Sequence, residues 1–432
     1  GRVCTRGDRA ARRFGDVSNG TYAVVDLQPS MSSSWARRAL RARTKEIAAL
    51  GRRRQWCEAL HLFSDAQVHG PSPDVRLYGA ALGACERAGR WTSALAILGE
   101  MLTGDGEGPK LLPDAAAWNS AIGACARGQR WASALDLLQR MSSIAEQCDG
   151  AAPNLISYNA TINACEKGRH WNLALQLLGD VSVQGLQPDA ISYSATMSAC
   201  AASRQWQRTL LLLEEMLQEG VQPDHYAYSI AVSACEKGRR WQGALELLWE
   251  MQSCAGGPGP SIVACNAAAS ACEGGHQWQH AIALMGVARE QNLVPDVVTF
   301  SAAISACDRG RQWELALALL ASMGQGDAPA PSVVAFGAAA GACEAVRQWR
   351  WSVELLSAAR LNGLAPDAPL MSSVASACAK AREWEAAVQV LGEMRSCGYT
   401  VGPSARGALL EAATSSRRAG NMWRVVLALL SE

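Results

Sequence analysis

Fifteen cysteines and six histidines are the side chains of this 432-residue chain best suited to hold a metal, form disulfides or act as nucleophiles. Their spacing points elsewhere. No Cys-x-x-Cys pair occurs, and of His61, His69, His170, His225, His276 and His280 only His276 and His280 stand at i and i+4, without a third ligand. Nine of the cysteines instead share one neighbour. Cys85, Cys125, Cys165, Cys200, Cys235, Cys272, Cys307, Cys343 and Cys378 are each followed six residues later by a tryptophan, from Trp91 to Trp384. Single cysteines on successive packed helices, about 9 to 10 Å apart, are too far apart for a disulfide, which needs Cα atoms within about 7 Å. They are therefore expected as small apolar core residues, in keeping with a reducing compartment. No Gly-rich phosphate loop, nucleophile elbow or paired-carboxylate motif recurs. No enzymatic activity, cofactor, metal or small-molecule substrate is expected.

The Cys-to-Cys steps run 40, 40, 35, 35, 37, 35, 36 and 35, so the chain is an array of 35-residue units with insertions. One unit, residues 154–188, reads NLISYNATINACEKGRHWNLALQLLGDVSVQGLQP. Tyr158, Ile162 and Cys165 recur at i, i+4 and i+7, and Trp171, Ala174, Leu175 and Leu178 do the same in the second half, which predicts two amphipathic helices. Gly168 lies between them, matched by Gly89, Gly128, Gly238, Gly275 and Gly310, as expected for a left-handed residue that closes a helix. Each first helix is preceded by Pro and then Asp, Asn or Ser, from Pro73-Asp74 to Pro403-Ser404, a helix stop followed by an N-cap. Such a hairpin cannot bury its own apolar face, so the units must stack into an all-α solenoid.

The register extends back through Trp56, Ala59 and Leu60 and forward, weakened, through Leu409 to Ala413 and Trp423 to Leu430, giving about eleven units. Insertions fall at the exits of second helices, at Thr103 to Lys110, Ser142 to Ala152, Gly256 to Gly259 and Gly324 to Ala330. Residues 1–39 are expected as a basic, poorly ordered N-terminal segment and 40–432 as the solenoid, with clear repeats over about 75–404. Arg2, Arg6, Arg9, Arg12 and Arg13 hint at an organellar transit peptide, although Asp8 and Asp16 interrupt them. The chain opens at Gly1, which fits a fragment or a processed product, and its last hairpin reaches Glu432, so no appended catalytic domain is expected. With 49% apolar residues, 18% charged residues and a net charge of +1, disorder of most of the chain is excluded, and no apolar run reaches a membrane-spanning length. A polyanionic partner would need locally clustered cations. Basic residues do recur two positions after the repeated cysteine, at Arg87, Arg127, Lys167, Lys237, Arg309 and Lys380. They complement the helix dipole and also make a candidate ladder of phosphate contacts.

A 35-residue hairpin with Pro-Asp ahead of a first helix opening like LISYN, followed by ALQLL in the second, resembles the pentatricopeptide repeat, and the uniform unit length resembles its pure 35-residue subclass. The resemblance implies a right-handed α-solenoid that binds single-stranded RNA, one nucleotide per unit, along its first helices. It further implies that each base is read by the fifth residue after a cap together with the cap of the next unit. Here those pairs are Thr44 with Asp74, Asn119 with Asn154, Asn159 with Asp189, Ser194 with Asp224, Ser229 with Ser261, Asn266 with Asp296 and Ser301 with Ser332. The second residue after the cap would clamp the base, at Ile156, Ile191, Tyr226, Val263, Val298 and Val334. By the family's pairing rule, Asn159–Asp189 and Asn266–Asp296 favour uracil, Asn119–Asn154 a pyrimidine, and Ser194–Asp224 and Thr44–Asp74 guanine. The serine–serine pairs and the glycine units at Gly79 and Gly337 would be nearly indifferent. The caps are already explained by helix capping. Short hydrogen-bonding residues at the fifth position and apolar ones at the second have no such explanation. The implied role is an RNA-binding adaptor in a chloroplast or mitochondrion, acting in RNA stabilisation, processing or translation with partner proteins and no membrane. A peptide-binding scaffold of the tetratricopeptide type is the alternative, and an RNA-processing enzyme is disfavoured.

Overall fold

The computed structural model describes residues 33–69, 73–103, 111–145, 152–253, 259–326 and 328–399, with Arg406 and Gly407. These residues form ten helical hairpins and, among them, no strand. The helices are α1 (Ser33–Arg52), α2 (Trp56–His69), α3 (Val75–Ala88), α4 (Trp91–Thr103), α5 (Ala115–Arg127), α6 (Trp131–Ala145), α7 (Leu155–Gly168), α8 (Trp171–Val183), α9 (Ala190–Ala202) and α10 (Trp206–Gln218). They continue as α11 (His225–Lys237), α12 (Trp241–Ser253), α13 (Ile262–Gly274), α14 (Trp278–Glu290), α15 (Val297–Arg309), α16 (Trp313–Ser322), α17 (Val333–Ala345), α18 (Trp349–Leu361), α19 (Ala368–Lys380) and α20 (Trp384–Ser396). Helix α1 starts ahead of residue 40, while residues 1–32 and the eleventh hairpin over Leu409 to Leu430 lie outside the described residues.

Each odd-numbered helix packs on the next odd-numbered one, and each even-numbered helix packs on the odd-numbered helices before and after it. No two even-numbered helices approach within 8 Å at their Cα atoms. The odd row can close up because its inward residues are small. Helix α13 reads IVACNAAASACEG and α17 VVAFGAAAGACEA. A row packed more tightly than its partner row bends the stack toward itself, so the odd helices line the inner side of this α-solenoid. The even helices bury a narrower stripe at i, i+3, i+4 and i+7, as with Ala174, Leu177, Leu178 and Val181. All nine repeated cysteines are buried and unpaired. Burial pushes each of their thiols up to about 11, which leaves them inert at neutral pH.

The predicted caps form. Asp74, Asp114, Asn154, Asp189, Asp224, Ser261, Asp296, Ser332 and Asp367 each accept the backbone N–H three residues on. The predicted left-handed glycine does not, with one exception. Gly89 has φ 66°, but Gly128, Gly238, Gly275 and Gly310 lie between −79° and −91°. The left-handed residue is the next one, Gln129, Arg239, His276 and Arg311 in these turns, with φ from 53° to 58°. Its successor donates back to the cysteine carbonyl, for example Arg240 N to Cys235 O at 2.9 Å, which closes a Schellman turn. The glycines serve a contact between units. A Cβ at Gly238 would sit 2.7 Å from Cδ1 of Trp206, and one at Gly168 2.9 Å from Cδ1 of Trp131, because the tryptophan of the preceding hairpin lies against the turn glycine, as it also does at Gly128, Gly275 and Gly310. Cations cover several of these rings, with Arg90 4.0 Å from the centroid of Trp56 and Arg208 4.0 Å from that of Trp171. His170 and His280 stack on Trp131 and Trp241, and no metal-holding cluster exists among the described residues.

Candidate functional site

Capping fixes the first residue of each odd helix, and stacking then sets that cap beside the fifth residue of the preceding odd helix. Four of the predicted pairs meet directly. Asn119 Nδ2 donates to Asn154 Oδ1 at 3.2 Å, Asn159 Nδ2 to Asp189 Oδ1 at 3.1 Å, and Asn266 Nδ2 to Asp296 Oδ2 at 2.9 Å. Ser229 Oγ and Ser261 Oγ are 3.1 Å apart. The other pairs do not join. Thr44 and Ser301 hydrogen-bond the carbonyls of Leu40 and Val297 in their own helices. Ser194 is buried, its hydroxyl without a partner among the described residues, while Asp74 and Asp224 serve their caps.

A set of residues beyond the predicted ones braces the three asparagines. Ser157 Oγ lies 2.5 Å from Asn119 Oδ1, Ser192 Oγ 2.6 Å from Asn159 Oδ1, and Thr299 Oγ1 2.5 Å from Asn266 Oδ1. All three hydroxyl residues are buried, at the third position after a cap. A hydroxyl that meets the amide oxygen fixes which way the amide points, with Nδ2 toward the cap. One Nδ2 hydrogen and, in Asp189, Oδ2 then remain for an incoming group. Burial pushes the Asp189 carboxyl up, but the Ser192 N–H and hydroxyl and the Asn159 amide outweigh it and hold the group below its ordinary value. Asp296 is depressed in the same way by Thr299, Asn266 and the Val298 N–H. Both are therefore pure acceptors at neutral pH.

The six predicted clamp residues, Ile156, Ile191, Tyr226, Val263, Val298 and Val334, are 54% to 65% exposed, one per hairpin over six consecutive hairpins. Arg76, Ala116 and Pro369 interrupt the row at either end. Between α9, α11 and α13 two of the clamp residues, Tyr226 and Val263, border a groove of about 510 Å³ together with Ser229, Ser261 and Lys237. A cavity of similar size, about 520 Å³, lies by Arg289, Asn292 and Gln325 and contains none of the reading residues.

The predicted phosphate row is unevenly available. Arg127 and Lys167 are exposed, but Arg309 pairs with Glu273 at 3.1 Å, Lys380 with Glu344 at 2.8 Å, and Lys237 Nζ rests on the Ala201 carbonyl at 3.3 Å. Arg87 is half-buried, its guanidinium where a side chain at Gly51 would project. The acids come from a second row, one residue after the repeated cysteine. Burial and the neighbouring Glu344 push Asp308 up to about 6, with Arg309 opposing and Glu273 adding to the rise. Burial likewise raises Glu236, with Lys237 opposing and Glu273 adding.

Family profiles described as pentatricopeptide repeat domain and PPR repeat match residues 176–238 and residues 76–104, 116–144, 226–254 and 370–399 respectively. No curated protein matches the chain. Among solved structures the fold is similar to the pentatricopeptide repeat protein PPR10 in complex with an 18-nt psaJ RNA element, at 18% identity and a TM-score of 0.60, over 93% of this chain and 63% of that one. It is also similar to PPR10 from maize, at 16% identity and a TM-score of 0.57, over 90% and 58%. The chain thus spans about 63% of the length of that first PPR10 chain. The chain therefore carries pentatricopeptide repeats over residues 76–104, 116–144, 176–254 and 370–399, and the same hairpin stack runs along its other described units.

Proposed function

We propose that the chain is a sequence-selective adaptor for single-stranded RNA that holds one nucleotide per hairpin along its odd-numbered helices. The observation that carries this reading is the alternation of two rows on one face. Exposed apolar residues at the second position give flat contact to bases, and the braced Asn–cap pairs at the fifth position and next cap give directed hydrogen bonds. Apolar contact to a base face is indifferent to sequence, because every base has such a face, so the polar pair must supply selectivity. At Asn159 with Asp189 the free Nδ2 hydrogen and Asp189 Oδ2 present one donor and one acceptor side by side. Uracil offers the complement, a carbonyl oxygen next to N3–H. The PPR10 likeness, in a protein seen bound to RNA, supports the same assignment. On this reading the protein acts in RNA stabilisation, processing or translation in a chloroplast or mitochondrion, with other proteins supplying any chemistry.

A gel-shift titration with a random-sequence single-stranded RNA pool tests the assignment. The complex is expected to form with single strands and to resist competition by duplex RNA, whose paired bases cannot enter the row. Equal competition by duplex, or capture of peptides in place of RNA, would favour the tetratricopeptide-type scaffold.

A further inference from the structure

Positive charge in this chain is concentrated in the turns between the two helices of each hairpin. The four residues ahead of the tryptophan that opens each second helix, forty residues in ten turns, contain 18 of the 40 Lys and Arg and one of the 39 Asp and Glu. The turns therefore carry +17 and the rest of the chain −16. A nearly neutral protein thus has one strongly basic edge. The third residue of every turn is left-handed, and in seven of the ten turns it is arginine. These are Arg54, Arg169, Arg204, Arg239, Arg311, Arg347 and Arg382, with φ between 53° and 67°.

That choice has no local explanation. The left-handed region favours glycine and then asparagine, because a Cβ there crowds the following carbonyl. Gly89 shows that this turn closes with glycine. A residue repeatedly held in a costly conformation, where a cheaper one fits, points to a requirement for its side chain. All seven arginines are exposed, and none makes an ion pair with an acid among the described residues. The row two residues earlier, by contrast, has lost Arg309 and Lys380 to Glu273 and Glu344.

We propose that the left-handed arginines form the main track for the phosphodiester backbone of the bound RNA, in place of the row two residues earlier. This rests on the RNA-binding reading above. Arg169, Arg204 and Arg239 belong to three successive hairpins, as do Arg311, Arg347 and Arg382, so each tract offers one guanidinium per hairpin. Guanidinium binds phosphate through two parallel N–H donors and keeps its charge at any physiological pH. The Schellman turn fixes the backbone of each, since the residue after it is hydrogen-bonded to the cysteine carbonyl or, after Arg54, to that of Leu50.

The test is the full chain against its Arg169→Gly/Arg204→Gly/Arg239→Gly variant, titrated between 50 and 200 mM salt with a random single-stranded RNA pool and, separately, with inorganic polyphosphate. Each phosphate contact to a single strand contributes about 0.7 to the slope of log affinity against log salt, so the variant's slope should be shallower by about 2. Its affinity loss over that range should shrink about twentyfold. Its melting temperature should hold or rise, because glycine relieves the left-handed conformation. An unchanged salt slope would overturn the proposal. So would a fall in melting temperature, which would make the arginines structural. If the parent binds polyphosphate with the same arginine dependence but no RNA, base reading fails and the track survives as a polyanion site. If it binds neither, both fail.

Discussion

Gly238→Ala and Gly275→Ala are expected to destabilise the stack, against the usual direction of such changes. Alanine in place of glycine at negative φ ordinarily gains about 0.4 to 1 kcal/mol by restricting the unfolded chain. Here the new Cβ meets the indole of the preceding hairpin, at 2.7 Å from Trp206 for Gly238 and closer for Gly275 against Trp241. Overpacking of this kind costs about 1 to 3 kcal/mol per site. In an array stabilised by contacts between neighbours, the loss falls on a single interface and loosens the coupling of the two halves. Gly179→Ala, in a helix with open space around it, should instead stabilise by up to about 1 kcal/mol. Thermal unfolding of the three variants measures both signs. The steric account also requires coupling, so Gly238→Ala should cost little once Trp206 has been replaced by Ala. An unchanged cost in that background would mean the glycine serves its own backbone and not the ring.

The second large effect concerns affinity. Replacing Tyr226, Val263 and Val298 together by Asp should weaken binding of a single-stranded RNA pool about a hundredfold, since one stacking and two aliphatic contacts to bases, at about 1 kcal/mol each, are lost and three charges repel phosphate. Stability should change little, because all three side chains are more than half exposed. Equilibrium binding at fixed salt, with circular dichroism as the control for folding, checks this. Retained affinity would remove the base-clamping role from the row.

Much of this architecture is written locally. The 35-residue period, the Pro-Asp caps and the buried cysteines each follow from residues within one unit, so the hairpin, its start and its core face can be read directly. The parts that cannot be read depend on contacts between residues some 30 to 40 positions apart. Gly238 looks like a left-handed residue until Trp206 is placed on it. Arg309 and Lys380 look like free cations until Glu273 and Glu344 are found 36 residues before each of them. The left-handed arginines carry no local signature, because arginine is not a residue that this conformation favours. The hydroxyl brace did leave a trace. Ser157, Ser192 and Thr299 follow Asn119, Asn159 and Asn266, whereas units that follow Ser, Thr or Gly at that position have Ala117, Ala227, Ala264, Ala335, Leu77 or Leu370 instead. Comparing units with one another, and not only along the chain, exposes that pairing.

The most direct measurement of base reading is selection of bound RNAs from a random pool by the parent chain, by Asn159→Ser and by Ser192→Ala. The parent should enrich uracil opposite the Asn159–Asp189 pair. The serine variant should shift that one position toward guanine, and the Ser192→Ala variant should blur it about fivefold, as expected for loss of one hydrogen bond of about 1 kcal/mol that orients the amide. All three proteins should keep the same helix content and the same preferences elsewhere. Identical selected sequences from parent and variants, or loss of binding with no change of base, would contradict base reading at this pair and leave Asp189 as a helix cap alone.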